Sequence, residues 1–531
     1  MRNFKILAIA TLLSTGAGFS SCTKQFTDYE MNSNKPAQAP PSVVLGSILN
    51  DMNAIKPWSD VMRWNQYDCC NYNYYGNQRY DWGGANLNGY FTLQNVQQME
   101  NEAIRLGGKE LNPYAALGKF FRAFFYYRMT NLVGDLPMTE ALKGDENTTP
   151  AYDDQRTIFI QILAWLEQSN AELNELINNP DQSNTSEGQV LKNDFYYNNN
   201  LQNWQRAVNA FRLRVLIALS KKTADNELNI QQQFSEILSN PTKYPLMTGI
   251  DQSLQFIYNN INKYPANPDN LGFDATRYNM SATYLNTLAS LHDPRAYITA
   301  EPATEQLNRL RKTPDDITAY VGAPSGENLT DMSSKMSSVD TAVYSLRSRT
   351  RYYSNYAAEP GVLVGYPEMC FNIAEAINRK WAAGNAEEWY KKGIQASMSF
   401  YGIPATAPGT VTKTYRNVRY DIPFDFEGVY YAQATVKYQG DNANGLQQIL
   451  TQKYLAFFES SDWEGYLNWR RTGIPVFSTG SGTGNNNKIP LRFKYPDNHR
   501  DANAANWSAA LQKQFSTSTD DINAAMWLIK D

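Results

Sequence analysis

A mostly α protein with long irregular connections and minor β excursions is what this 531-residue sequence predicts. Three observations carry the prediction. Apolar residues return at three- and four-residue steps over several long stretches, alternation of strand type is confined to one short region, and Pro- and Asn-rich segments separate the periodic stretches. With 42% hydrophobic residues, the chain can build a substantial core.

The elements follow in chain order. Arg2 and Lys5 precede an apolar run, Ile6 to Leu13, and a small-residue stretch that ends at Cys22, which together read as an export signal over residues 1–21. The apolar run is far shorter than the roughly 18 to 20 residues a membrane-spanning helix needs. The segment before Cys22 resembles the lipobox of bacterial lipoproteins, in which this cysteine becomes the lipidated first residue of the mature chain. Residues 22–41 are polar and end in prolines, as a flexible tether would. Residues 42–531 are expected to form a single domain.

Within it, Leu117, Phe120, Phe121, Phe124, Phe125 and Leu132 predict a buried helix that ends before the turn Gly134-Asp135-Leu136-Pro137. Ile158, Ile162, Leu166, Leu173 and Ile177 mark a second helix, and Trp204, Val208, Phe211, Val215 and Leu219 a third. Further helices are expected over 281–291, 367–382, 386–401 and 446–459, with a small β excursion in 402–440.

Composition narrows the function. The 48 Lys+Arg against 52 Asp+Glu leave a net charge of −4, so the basic footprint of a nucleic-acid binder is missing. Two histidines, His292 and His499, are too few and too far apart for a local His-pair metal site, and no metal or cofactor is expected. Cys69, Cys70 and Cys370 form no metal pattern and read as buried free thiols. A vicinal bridge, or a bridge from either neighbour to Cys370, is the alternative that spacing does not exclude. The Gly-rich stretch Ser478 to Asn487 lacks the Lys-Ser/Thr of a phosphate loop, and Asp441 to Gly445 lacks the ligands of a calcium loop. Asp421, Asp425 and Glu427, or Asp462 with Glu464, are the acids that could supply a glycosidase pair.

Aromatic residues are enriched at 13%, and the loops concentrate them. Residues 58–91 hold ten, interleaved with Asn, Gln, Gly, Arg79 and Asp81, with no helix or strand period. Tyr258, Tyr264, Phe273 and Tyr278 form a second group, and Tyr352, Tyr353 and Tyr356 a third. Flat rings can stack on the apolar C–H faces of sugars while polar neighbours bond the hydroxyls. The competing reading is that these rings fasten long loops to the core.

Several segments resemble one family in register. Asn112 to Met138, with its Gly-Asp-x-Pro turn, is similar to a helix and turn of the SusD/RagB outer-membrane lipoproteins of Bacteroidota. Trp204 to Leu219, Asp293-Pro294-Arg295, Gly365 to Ala376, Ile449 to Phe458, Arg470-Arg471-Thr472-Gly473-Ile474-Pro475 and Arg492 to Pro496 continue the resemblance. It implies a SusD-like fold built on tetratricopeptide-like helix pairs, an architecture that sequence periodicity does not reveal. It also implies a non-catalytic lipoprotein, anchored in the outer membrane through Cys22 and exposed at the cell surface. Such a protein binds a nutrient, commonly a glycan or oligosaccharide, and passes it to a SusC-like TonB-dependent transporter. Ligand residues in such a protein lie on variable loops. The aromatic loops here nominate Trp64, Tyr67, Tyr72, Tyr74, Tyr75, Arg79 and Trp82, with Tyr278, Tyr352 and Tyr353 opposite. The alternatives are a peptide-binding relative, a secreted α-rich glycoside hydrolase, and an assembly lipoprotein whose aromatics meet another protein. The matched charged residues, Arg122, Arg128, Arg212, Arg214, Glu368, Glu375, Arg470 and Arg471, are expected to pair between helices as scaffold.

Overall fold

Helix α3, Pro113–Val133, shows how this sequence makes its elements in the computed structural model, which describes residues 38–530. Asn112 caps it by accepting from the Ala115 N–H, Pro113 supplies a preset first turn, and Gly134 ends it with φ +96°. Phe120, Phe121, Phe124 and Phe125 are buried, so the aromatic run is core. The export signal expected over residues 1–21 and the lipidated Cys22 lie outside the described residues.

The longer helices are α1 Pro41–Met52, α2 Gly89–Arg105, α3, α4 Gln155–Asn178, α5 Leu201–Ala218 and α6 Ile230–Ser239. They continue with α7 Ala282–Ser290, α8 Tyr366–Asn378, α9 Ala386–Phe400, α10 Ala443–Ala456, α11 Glu464–Thr472 and α12 Ala504–Phe515. Neighbours in sequence lie side by side: α2 packs on α3, α3 on α4, α4 on α5 and α8 on α9, while α8 also meets α5 and α10. Each predicted helix is present. Helices α1, α2, α6, α11 and α12 lie outside the ranges the sequence predicts.

Ion pairs tie this array together. Arg122 binds Glu100 through both nitrogens at 2.6 and 2.5 Å, joining α3 to α2. Arg214 binds Glu368 at 2.6 Å and joins α5 to α8; Arg471 binds Glu375 at 2.5 and 3.0 Å and joins α11 to α8. Burial alone would raise the Glu375 carboxyl, but Arg471, Lys453 and Arg379 outweigh it and hold it at about 2. In the Asp-Pro-Arg turn, Arg295 pairs with Asp293 and reaches Ser397 on α9 and Gln452 on α10. Asp135 accepts from the Gln155 N–H, fixing the turn after α3.

Short strands pair as β1 Asp68–Cys70 with β3 Tyr278–Met280, and β2 Leu254–Phe256 with β4 Gly361–Val364. The predicted excursion is a hairpin of β5 Gly409–Tyr415 and β6 Val418–Phe424. Arg416 and Asn417, both with positive φ, make its two-residue turn. Most buried apolar residues form one core, with a satellite around Cys69, Ala323, Met332 and Tyr344.

Candidate functional site

The β1–β3 pair builds the site, because its antiparallel register sets Cys70 opposite Tyr278 and so brings two distant loops together. Beyond β1, the Asn71 N–H donates to the Arg277 carbonyl at 2.9 Å, and the Asn71 amide donates to Asn279 Oδ1 at 2.9 Å. Chain then folds into a single tight turn, Asn73–Tyr75, closed by Gly76 at φ +122°. That backbone region is open only to glycine, and a β-carbon there would sit 3.1 Å from an Arg63 nitrogen. The Tyr278 hydroxyl donates to the Tyr75 carbonyl at 3.2 Å and holds the turn against β3.

The result is an exposed aromatic platform. Tyr74 and Tyr75 meet edge to face at 5.2 Å, Tyr72 lies 6.3 Å from Tyr75, and Tyr278 lies 6.4 Å from Tyr75. Tyr74 is 83% exposed and Tyr72 47%. Among the described residues, no protein group hydrogen-bonds the hydroxyls of Tyr72, Tyr74 or Tyr75. Two residues absent from the sequence-based set complete it. Phe273 is 72% exposed, and the Arg277 guanidinium sits 4.7 Å from the Tyr72 ring and 5.9 Å from Phe273. Neither is near Tyr72 in sequence; only the strand pairing brings them there.

Behind the platform lies a charged layer. Arg347 stacks on Tyr278 at 4.3 Å and on Trp58 at 4.4 Å, and faces Asp274 at 3.5 Å. Asp68 on β1 is buried with both carboxylate oxygens unpartnered. Burial raises its carboxyl above the usual range, against the pull of Arg63 and Arg347.

The other nominated residues lie elsewhere. Tyr67 and Tyr352 are fully enclosed, and Tyr353 nearly so, which corrects their assignment to a ligand face. Tyr67 stacks on Tyr454 at 4.8 Å and donates to the Tyr454 carbonyl, Tyr352 meets Trp58 edge-on at 4.9 Å, and Tyr353 donates to Asp274 at 2.9 Å. Trp82 is also enclosed, stacked on Phe493 at 4.0 Å. Trp64 stacks on Trp463 at 5.7 Å and, with Phe91, Arg128 and Asp51, lines a separate cleft of about 750 Å³. Arg79 is exposed and paired with Asp81 at 2.5 Å, beside the Asn485–Asn487 turn.

The discounted motifs have structural roles. Asp81 accepts from the Asn485 N–H within the Gly-rich loop, and Asp441 pairs with Lys380 beside the cap of α10. Asp462 pairs with Arg128, while Glu464 accepts from Tyr127. Asp421 is held by Arg419 and Glu427 by Lys391. Cys69, Cys70 and Cys370 are free and buried; burial pushes Cys69 and Cys370 up to about 12. Among the described residues no three His, Cys, Asp or Glu side chains converge as a metal site, and no helix is long and apolar enough to cross a membrane.

Comparison with known proteins agrees with this architecture. Residues 33–496 match the SusD-like family described as starch-binding and associating with the outer membrane. A SusD homologue of Bacteroides fragilis is 30% identical, with a TM-score of 0.75 over 93% of this chain and 100% of that one. Another from the same species is 26% identical, with a TM-score of 0.77 over 92% and 100%. A chitin-binding protein, 20% identical, shares the fold with a TM-score of 0.67 over 92% and 100%. No curated protein matched. With a family match over most of its length and a mostly helical fold shared with these homologues, the chain belongs to the SusD-like family of nutrient-binding outer-membrane proteins.

Proposed function

We propose that the protein is a cell-surface lipoprotein, anchored through Cys22, that captures a glycan on Tyr72, Tyr74, Tyr75 and Tyr278. It passes that glycan to a SusC-like TonB-dependent transporter and makes or breaks no bond itself. The observation that carries this reading is the platform: three tyrosines at a glycine-closed turn, Tyr72 and Tyr74 exposed and Tyr75 half-buried beside them, their hydroxyls unclaimed by protein among the described residues. Such rings stack on sugar C–H faces and offer their hydroxyls to sugar oxygens. Family membership and the chitin-binding relative support the ligand class. Of the acids weighed as a catalytic pair, Asp462, Glu464, Asp421 and Glu427 are engaged by Arg128, Tyr127, Arg419 and Lys391, and Asp425 accepts from the Gly428 N–H, which supports capture over hydrolysis. A lipid tether would let the body move as a lid while staying near its transporter.

Calorimetric titration of the mature chain lacking Cys22 against oligosaccharides and peptides, with each mixture analysed for cleavage, tests this reading. The expected result is saturable glycan binding without products, weakened about tenfold or more (about 1.4 kcal/mol) by Tyr74→Ala with Tyr75→Ala. Binding unchanged in that double variant would remove the platform from the ligand site. Products would favour the hydrolase, and binding confined to peptides would favour the peptide-binding relative.

A further inference from the structure

Arg277 differs from the other arginines that touch the platform. Arg63 pairs with Asp60, and Arg347 faces Asp274. Among the described residues, Arg277 has no carboxylate partner, and its side chain donates no hydrogen bond to protein. Its Nε is closed off from solvent yet lacks an acceptor. The guanidinium is held in place by rings, 4.7 Å from Tyr72 and 5.9 Å from Phe273. Its own backbone is fixed as well, because its carbonyl accepts from the Asn71 N–H at 2.9 Å. A cation fixed by aromatic faces, with unused donors, is preorganised for an anion that arrives from outside.

Resting on the platform reading above, we infer that the captured glycan carries an oxyanion substituent, a uronate carboxylate or a sulfate ester, and that Arg277 recognises it. Tyr72 joins the two functions. Its ring lies 4.7 Å from the guanidinium and 6.3 Å from the Tyr75 ring, so the cationic edge and the stacking faces are contiguous. A sugar on Tyr74 and Tyr75 would place its ring substituent, or that of its neighbour, towards Arg277. Guanidinium suits this task because its planar fork can bind two oxygens of a carboxylate or sulfate together and is only weakly hydrated. The tyrosines alone would accept neutral and charged sugars alike. Arg277 would supply the preference, because a neutral ligand leaves its donors unmet.

The test compares three probes on the mature chain by calorimetry: oligogalacturonides, which carry carboxylates; carrageenan oligosaccharides, which carry sulfates; and neutral malto- and chito-oligosaccharides. At least one acidic probe is expected to bind more tightly than every neutral one, and to weaken as salt is raised. Arg277→Gln should weaken that probe tenfold or more and cut its margin over the neutral probes, because the loss falls more heavily on the acidic ligand; Arg277→Lys should restore part of the loss. Which acidic arm binds decides between carboxylate and sulfate. Preference for a neutral glycan, binding of acidic peptides alone, silence from both acidic arms, or an Arg277→Gln variant that binds acidic probes within twofold of the parent would each overturn the proposal. The platform reading fails separately, if Tyr74→Ala with Tyr75→Ala leaves glycan binding intact. Unchanged thermal unfolding of Arg277→Gln guards against a folding artefact.

Discussion

One stretch of chain, residues 64–82, contributes to two aromatic assemblies that differ in almost everything but composition. In the first, Trp64 and Trp82 join Trp463 and Phe493 in a nest whose rings contact one another on several sides. In the second, Tyr72 leads into a three-residue turn that carries Tyr74 and Tyr75, and solvent covers much of Tyr72 and Tyr74. Exposure shows the difference most clearly, with Trp82 at 5% and Tyr74 at 83%. Near the nest, Trp64 Nε1 donates to the Arg79 carbonyl and the Tyr80 hydroxyl to the Trp64 carbonyl, at 2.9 and 2.8 Å. On the platform, the three hydroxyls find no protein partner among the described residues. An exposed ring keeps its polar tip for water or ligand, whereas an enclosed one finds a partner within the protein or goes without, as Trp82 Nε1 does among the described residues. Arg277, stacked on Tyr72, has no carboxylate partner among the described residues, whereas Arg128, stacked on Phe124 at 4.8 Å, is paired with Asp462. Ring content therefore identifies neither a core nor a site; the exposure of the rings separates them.

The sharpest way to break this comparison is to truncate the nest. Trp82→Ala removes an enclosed ring with five aromatic neighbours and should cost about 3–5 kcal/mol, read as a lowered denaturation midpoint. A loss below about 1 kcal/mol would mean the nest collapses easily and is not load for the fold. Next comes Arg128→Ala, expected to cost about 3 kcal/mol at neutral pH. That is the lower end for a broken buried pair, since Arg128 keeps 14% of its side chain exposed. Its pH dependence carries a sign. Burial already raises the Asp462 carboxyl against the pull of Arg128, and removing Arg128 raises it further. A raised carboxyl contributes stability that is complete below its unfolded value, about 3.9, and is lost as pH rises through the folded value. The variant's deficit should therefore widen from pH 4 to pH 7 in denaturation curves; a constant deficit would mean Asp462 stays ionised.

The helical core was legible in sequence, whereas neither the nest nor the platform could be told from the other there. Phe120, Phe121, Phe124 and Phe125 repeat with helical spacing, so periodicity alone placed them in the core. The arginine and glutamate pairs were readable because charges on apolar helices need partners. Tyr72, Tyr74, Tyr75 and Tyr278 were nominated with Tyr67, Trp82, Tyr352 and Tyr353, and no local rule could separate the exposed from the enclosed. That separation depends on a three-residue strand pair, β1 with β3, linking positions some two hundred residues apart. Strands this short carry no alternation to detect. Arg277 and Phe273 escaped selection for the same reason, since their place beside Tyr72 is a consequence of that pairing.

The smaller effects sharpen the comparison from the platform side. Gly76→Ala forces an alanine into a φ of +122° with its β-carbon against Arg63, and should cost about 1–3 kcal/mol, most of it by remodelling the turn. Its glycan affinity should fall with it, because Tyr74 and Tyr75 are presented by that turn. Retained affinity would show that the rings are not preorganised. Smallest of all is Tyr74→Ala, whose ring is almost wholly in solvent and touches Tyr75 at an edge. Its folding stability should stay within about 0.5 kcal/mol of the parent, measured under the conditions used for Trp82→Ala. Because a structural ring at this exposure has little to lose on folding, a measured loss above 1.5 kcal/mol would place Tyr74 with the nest, as a fastener of its loop. No loss of stability joined to a loss of glycan binding is the combination that only a ligand-facing ring produces.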